Sequence, residues 1–205
     1  GNFCIAPWVH IQNTPEGVPQ PCCIFKPNII DGHTRRRLTD AFHGEEMQLL
    51  RKRMLNGDRI DECESCYYYD SIGELSQRQV MNQEHEYTDN FFLEGLEISF
   101  DNKCNFACVT CKPESSTVWE EREGKIDKIK PNYDGVDFSK LKHLSFTGGE
   151  PTIQKEFSPE FFDMLDSQVN YDTMFFSMNT NCSKFVHKPW QNFVKKLKRV
   201  MIMAS

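Results

Sequence analysis

The sequence contains no apolar run approaching the ~20 residues that a helix needs to cross a lipid bilayer. Its N-terminus also lacks the basic and apolar regions of a secretory signal peptide. The first absence argues against a membrane-spanning protein, and the second argues against secretion. We therefore expect a cytoplasmic chain.

Positive charge is also scarce, because the formal net charge is -6. Two short basic clusters, at residues 35–37 and 195–199, lie among acidic residues, so the sequence shows no extended surface for binding phosphates. This argues against a nucleic-acid partner. Internal repeats and low-complexity tracts are absent, and the composition, 39% hydrophobic and 26% charged, argues against disorder.

Cysteine, in contrast, is abundant: the chain has nine, and only Cys4 and Cys182 lie outside close-set groups. In a reducing compartment such groups indicate metal or redox chemistry rather than disulfides. The chain begins at Gly1 without a methionine and stops at Ser205, directly after a strand-like run. We therefore expect a fragment of a longer protein.

From residue 96 onward, strand signals alternate with helix signals. Four strands are predicted, around residues 96–100, 144–146, 174–178 and 200–203. Helices are predicted from Ser158 as N-cap with Pro159 following, from Pro189, and over residues 115–129. This alternation predicts an α/β fold whose parallel strands, joined by right-handed crossovers, form a layer or an incomplete barrel.

The first 80 residues have a different character, with scattered proline and glycine and paired cysteines. They contain one clear helix signal, from about Thr39 to Asn56, and Gly57 follows where a left-handed cap is expected. Such a segment has little apolar material and would need a metal to fold. Because residues 82–92 are polar and aperiodic, we predict two domains, at residues 1–85 and 92–205.

Three cysteines, Cys104, Cys108 and Cys111, follow the first of the four predicted strands. In α/β folds, ligands bind at the carboxyl ends of strands. Three thiolates in one loop can hold three irons of a [4Fe-4S] cluster and leave the fourth iron open to the amine and carboxylate of S-adenosylmethionine. The alternatives are a zinc site with a fourth ligand from elsewhere, or a structural thiol cluster.

This Cys-x3-Cys-x2-Cys loop resembles the signature of the radical SAM superfamily. Thr147-Gly-Gly-Glu-Pro151, after the second strand, resembles the family motif that holds the ammonium group of S-adenosylmethionine. The resemblance implies cofactor contacts by Gly148, Gly149, Glu150 and Pro151, although Gly-Gly before proline is also a common turn.

The ends of the third and fourth strands carry the weaker part of the resemblance. Asn179, Thr180 and Asn181 are similar to the family's segment near the methionine and ribose, and Ser205 is similar to a cofactor-contacting serine. Side-chain capping of a turn is the alternative for residues 179–181. Thr110 stands where many members carry an aromatic residue beside the adenine.

The N-terminal cysteines form a second set. Cys63-x2-Cys66 is a common metal knuckle, and Cys4 and Cys22 are available as further ligands of zinc or of a second iron-sulfur cluster. The spacing resembles SPASM and twitch domains, although in those families this domain usually follows the core. The resemblance implies one auxiliary [4Fe-4S] cluster on these four cysteines, with Cys23 as the alternative to Cys22.

The function that the resemblance implies is that of a radical SAM enzyme, an oxidoreductase that cleaves S-adenosylmethionine reductively to a 5′-deoxyadenosyl radical. The radical would abstract hydrogen from a substrate, for which a peptide or protein is expected. An electron donor such as flavodoxin or ferredoxin is implied as a partner. Two alternatives remain: a non-catalytic zinc-binding module for partner recognition, and an iron-sulfur electron carrier without S-adenosylmethionine.

Overall fold

The computed structural model describes residues 1–26, 37–128, 130–184 and 187–205. The predicted basic cluster at Arg35 and Arg36 and the predicted helix end at Ile129 lie outside the described residues. The helices are α1 Ala6–Val9, α2 Leu38–His43, α3 Glu45–Leu55, α4 Glu64–Ser71, α5 Gln77–Glu84, α6 Thr117–Glu123, α7 Pro159–Gln168 and α8 Lys188–Lys196. The strands are β1 His10–Asn13, β2 Pro19–Gln20, β3 Gly95–Ser99, β4 His143–Thr147, β5 Phe175–Thr180 and β6 Arg199–Ala204.

The strands form one sheet of order β2-β1-β3-β4-β5-β6. Among the described strands, the β1–β2 pair is antiparallel and every other neighbouring pair is parallel. Strands β3 to β6 are the four that the sequence predicts, so the α/β class with a mainly parallel sheet is confirmed.

The N-terminal segment contributes two strands that the sequence does not predict. Strand β1 pairs with β3 in parallel, with Ile11 opposite Leu96. Trp8, Ile11 and Leu96 also belong to one continuous cluster of buried apolar side chains. The segment before residue 85 therefore shares a sheet and a core with the segment after residue 92, and the division into two domains stays a prediction.

The predicted helix over residues 39–56 is wrong in one respect, because it is two helices. Gly44 has an extended backbone, with φ -68° and ψ 166°, and it ends α2 and begins α3. The cap after α3 is confirmed: Gly57 has φ +80°, and its N–H donates to the carbonyl of Met54 at 3.1 Å.

The helices of the second half begin close to the predicted positions. The Ser158 hydroxyl accepts from the N–H of Phe161 at 3.3 Å, as the N-cap prediction requires. Helix α6 is shorter than predicted because it ends before Gly124, which has φ +125°. In the described part of the chain, no helix combines the length and the apolar character that a membrane crossing requires.

The two faces of the sheet differ in chemistry. On one face Leu96, Leu144, Phe146 and Phe176 are fully buried, and Phe146 packs against both phenylalanines at the start of α7. The side chains at the intervening positions of the strands are mostly polar. The alternation that predicted β3 therefore separates an apolar face under the helices from a polar face.

Two histidines on the polar face make stability depend on pH. Burial lowers the pKa of both His10 and His143 to about 4. The unfolded chain, with a histidine pKa of ~6.5, binds more protons below that pH, so stability is lost as pH falls. From pH 6.5 to 5, the free energy of unfolding should fall by roughly 2 kcal/mol for each histidine. Urea unfolding across this pH range measures how the free energy of unfolding changes with pH. His143→Gln should remove about half of that change, and a free energy of unfolding that stays constant would contradict the prediction.

Candidate metal and cofactor site

The three cysteines of the Cys104–Cys111 loop follow β3, at the carboxyl edge of the sheet. Cys104 and Cys111 are half-buried and Cys108 is exposed. The N–H of Cys111 donates to the carbonyl of Cys108 at 3.0 Å, and the N–H of Phe106 donates to Cys104 Sγ at 3.4 Å. Burial raises the pKa of the Cys111 thiol, and the nearby Cys108 and Cys104 thiols raise it further. The loop therefore brings the three sulfurs into one neighbourhood.

Side chains of α6 hold the backbone of this loop. The Thr117 hydroxyl donates to the carbonyl of Cys104 at 3.0 Å, and the Trp119 indole N–H donates to the carbonyl of Cys108 at 2.9 Å. Two of the three cysteines are thus attached to the same helix. Sequence reasoning missed both residues. Trp119 lies on a helix face, where a tryptophan is most simply interpreted as a core residue.

Asn102 connects the start of the loop to its far end. It is fully buried, and its Nδ2 donates to the carbonyl of Pro113 at 2.6 Å and to Glu120 Oε2 at 2.9 Å. Lys128 Nζ contacts the same Glu120 oxygen at 2.8 Å, and this hydrogen bond lowers the pKa of the carboxyl group. Glu120 is therefore a structural anchor of the loop.

The Gly-Gly pair after β4 crosses directly over the cysteine loop. Gly149 has φ +53°, and a Cβ at this position would lie 2.4 Å from the carbonyl oxygen of Lys103. The N–H of Glu150 donates to that same oxygen at 2.8 Å. Glycine is needed here for its backbone conformation and for the lack of a side chain. Gly149 thus permits a close approach to the start of the loop, and the contact of both glycines with a cofactor stays a prediction.

Glu150 is fully buried and accepts four hydrogen bonds from the protein. Its Oε1 accepts from the N–H of Thr152 at 3.0 Å, the Thr152 hydroxyl at 2.6 Å and the Thr180 hydroxyl at 2.7 Å. Its Oε2 accepts from the N–H of Asn181 at 2.5 Å. The carboxylate therefore joins the ends of β4 and β5, and its predicted contact with an ammonium group is untested.

Asn181 extends this connection to the first cysteine. Its Nδ2 lies 3.8 Å from Cys104 Sγ and donates to Asn105 Oδ1 at 3.0 Å. The N–H of Ser205 donates to the carbonyl of Thr180 at 3.0 Å. Of the other predicted contacts, Asn179 is exposed on β5 and Pro151 is buried beneath the turn.

The auxiliary cysteines come from three separate segments. Cys4, Cys63 and Cys66 are buried and Cys22 is half-buried. Burial raises the pKa of Cys4 to about 11 and that of Cys63 to about 12, and it raises that of Cys22 strongly. Cys4 interacts electrostatically with each of the other three. The Cys23 thiol, the alternative to Cys22, lies close enough to Cys22 and Cys66 to interact with them in the same way, so the choice of ligands stays a prediction.

As the side chains are placed, no group of three or more His, Cys, Asp or Glu in the described ranges has the arrangement of a metal site. Both cluster sites stay predictions. No family model, curated protein or solved structure matches the chain. The resemblance to radical SAM enzymes therefore rests on the sequence motifs and stays a prediction.

A polar cavity of about 390 Å³ lies beside the cysteine loop, and sequence reasoning missed it. Its lining includes Gln12, Gln20, Cys23, Glu97 and Thr147. A second cavity, of about 350 Å³, shares Cys23 and Glu97 and extends to His10, His143 and Arg199. The available signal was Glu97, a charged residue in the middle of strand β3, between Leu96 and Ile98.

Proposed function

We propose that the chain is a radical SAM enzyme. Cys104, Cys108 and Cys111 would hold the cluster that meets S-adenosylmethionine. When bound, the cluster and S-adenosylmethionine would supply a 5′-deoxyadenosyl radical that abstracts hydrogen from a substrate. This proposal includes the finer prediction that the sheet is part of an incomplete radical SAM barrel.

The convergence of three motifs on one edge of the sheet supports this proposal. Gly149 packs on Lys103, which directly precedes the first cysteine, and Glu150 accepts from Asn181. Asn181 in turn lies against Cys104 Sγ. A zinc module requires only its cysteines, whereas here the ends of β3, β4 and β5 are joined around the thiols. This arrangement favours a site for cluster and organic cofactor together.

The chain's own residues would position these groups. Asn181 and the N–H of Phe106 provide hydrogen bonds to Cys104 sulfur, and such bonds tune the reduction potential of iron-sulfur clusters. Hydrogen bonds from the side chains of Thr117 and Trp119 hold the carbonyl groups of Cys104 and Cys108 in place. The exposed Cys108 leaves the outer side of the loop open to an electron donor such as flavodoxin or ferredoxin.

The proposal also assigns an auxiliary [4Fe-4S] cluster to the second set of thiols, Cys4, Cys22, Cys63 and Cys66. Cys4, Cys63 and Cys66 are buried, and Cys22 is half-buried. Four thiols can complete the coordination of such a cluster. The proposal includes a peptide or protein substrate, as the resemblance implies, and a cytoplasmic location.

The test is anaerobic reconstitution followed by electron paramagnetic resonance of the dithionite-reduced protein, with and without S-adenosylmethionine. We expect a reduced-cluster signal that shifts with the cofactor. Cys108→Ala should lose the shifting component, because it removes one of three thiolates of the open cluster. Cys182→Ala is the matched control: Cys182 is also exposed and lies outside both predicted ligand sets, so the shift should persist.

Two results would contradict the proposal. Tightly bound zinc without any reducible cluster would favour the non-catalytic interaction module. A reducible cluster whose spectrum S-adenosylmethionine does not change would favour an electron carrier.

A further inference from the structure

One row of polar side chains crosses the sheet. Gln20, Gln12, Glu97, Ser145 and Ser177 are opposite one another on β2, β1, β3, β4 and β5. The Ser177 hydroxyl donates to the Ser145 hydroxyl at 2.9 Å. Parallel sheets packed on both faces have nearly continuous apolar strands. The polar row therefore indicates that this face borders a cavity instead of a second apolar layer.

The larger cavity on this face has the size of a small-molecule site. Its volume is about 390 Å³, at the lower end of the range of roughly 300–1,000 Å³ for ligand pockets. Thr110 and Lys112 of the cysteine loop line it together with Glu97. A group bound here would therefore lie next to the proposed cofactor site.

Two buried acceptors in the cavity wall have no partner. Gln12 and Gln20 are each 4% exposed, and among the described residues neither side-chain oxygen has a hydrogen-bond partner. A buried acceptor without a donor costs about 1–3 kcal/mol. Two such acceptors on neighbouring strands therefore point to a ligand that donates hydrogen bonds.

Glu97 adds a negative charge to a lining that also contains Glu16, Glu114 and, as its one cation among the described residues, Lys112. Glu97 Oε1 accepts from the Thr147 hydroxyl at 3.1 Å, and no ion pair to Glu97 forms within the described part of the chain. Burial raises the pKa of Glu97, and it also raises the pKa of the Cys23 thiol, which the nearby Glu97 charge raises further. His10 and His143 face the same side, but burial lowers their pKa to about 4, so both are neutral at pH 7.

We propose that this cavity binds the ammonium or guanidinium group of a lysine or arginine side chain in a peptide substrate. Glu97 would pair with the charge, and the Gln12 and Gln20 oxygens would accept its N–H groups. An ammonium group has three donors and a guanidinium group has five, so either can satisfy all three acceptors. This inference rests on the proposed function, because it names the substrate of that site.

The test measures binding of three probes to the anaerobically reconstituted protein by calorimetry. The basic probes are the Nα-acetyl N-methylamides of lysine and arginine, and the neutral probe is that of norleucine. We expect at least one basic probe to bind more tightly than the norleucine probe by a factor of about ten or more. Glu97→Gln should remove this preference. The control is Glu123→Gln, an equal charge change at the exposed end of α6, which should keep the preference. Equal binding of norleucine, or an unchanged preference in Glu97→Gln, would overturn the inference.

The melting temperature of Glu97→Gln distinguishes a loss of binding to the basic probes from misfolding of the variant. Because burial raises the pKa of Glu97, its ionised form is disfavoured in the folded protein, so Glu97→Gln should raise the melting temperature at pH 7. A variant that is more stable and yet loses the preference for the basic probes supports a binding role. A lower melting temperature would instead indicate a structural role and would contradict the inference.

The paramagnetic resonance signal separates this inference from the proposed function. If Glu97→Gln loses the shift caused by S-adenosylmethionine, the cavity receives the amine of the cofactor and the substrate inference is overturned while the proposed function stands. If the wild-type protein shows no shift, the proposed function fails, and so does the assignment of the cavity to a substrate.

Discussion

Gly149→Ala should destabilise the protein by about 3 kcal/mol or more and abolish the signal shift caused by S-adenosylmethionine. The added Cβ would lie 2.4 Å from the Lys103 oxygen and 2.7 Å from the Asn102 carbonyl carbon. Both atoms belong to backbone, and Asn102 is anchored by its buried side chain, so the loop cannot yield without breaking those contacts. The φ of +53° adds strain for any residue with a Cβ.

The control for this substitution is Gly57→Ala. Gly57 also has a positive φ, of +80°, but nothing lies within 4 Å of the position that a Cβ would take. This variant should cost only about 1 kcal/mol, for backbone strain alone. Urea unfolding measures both changes. Equal costs in the two variants would show that the Gly149–Lys103 contact does not constrain the loop.

Glu150→Ala should cost about 3 kcal/mol or more, because it leaves several buried donors without an acceptor. The N–H groups of Thr152 and Asn181 cannot turn away, whereas the Thr180 hydroxyl can rotate. Release of Asn181 would also remove its contact with Cys104 Sγ, so the signal of the reduced cluster should change. Glu150→Gln should have an intermediate cost, because it keeps one of the two oxygens.

Glu156→Ala is the matched control for this second prediction. The Glu156 carboxylate also accepts a hydrogen bond, here from Lys130 Nζ at 2.7 Å, but the lysine side chain is 54% exposed. Such a surface pair contributes about 1 kcal/mol or less. Denaturant unfolding compares the variants, and a Glu150→Ala cost as small as that of Glu156→Ala would contradict the joining role of Glu150.

The elements that the sequence predicts correctly have strong local signals. Strands β3 to β6 show alternation or continuous apolar runs, α7 begins at a serine followed by proline, and Gly57 ends α3. Each of these signals comes from residues that are neighbours in the chain. Local chemistry is sufficient to predict them.

The missed elements depend on distant partners. Strand β1, with the sequence His-Ile-Gln-Asn, has one aliphatic residue. It pairs with the two-residue strand β2 and with β3, which comes more than 80 residues later. The break at Gly44 divides what reads as one helix, and a helix interior tolerates an isolated glycine at a cost of only about 1 kcal/mol. Neither strand β1 nor the helix break at Gly44 therefore has a local sequence signal strong enough to predict it.

The sequence by itself determined the α/β class, the positions of the thiols and the glycine pair after the second predicted strand. These follow from residue type and spacing, which are properties of the chain alone. Only the tertiary structure decided that Glu150 joins two strand ends and that Gln12, Gln20 and Glu97 share a cavity. The physical reason is that hydrogen-bond partners and burial depend on which strands become neighbours, and that is set by packing between segments far apart in the chain.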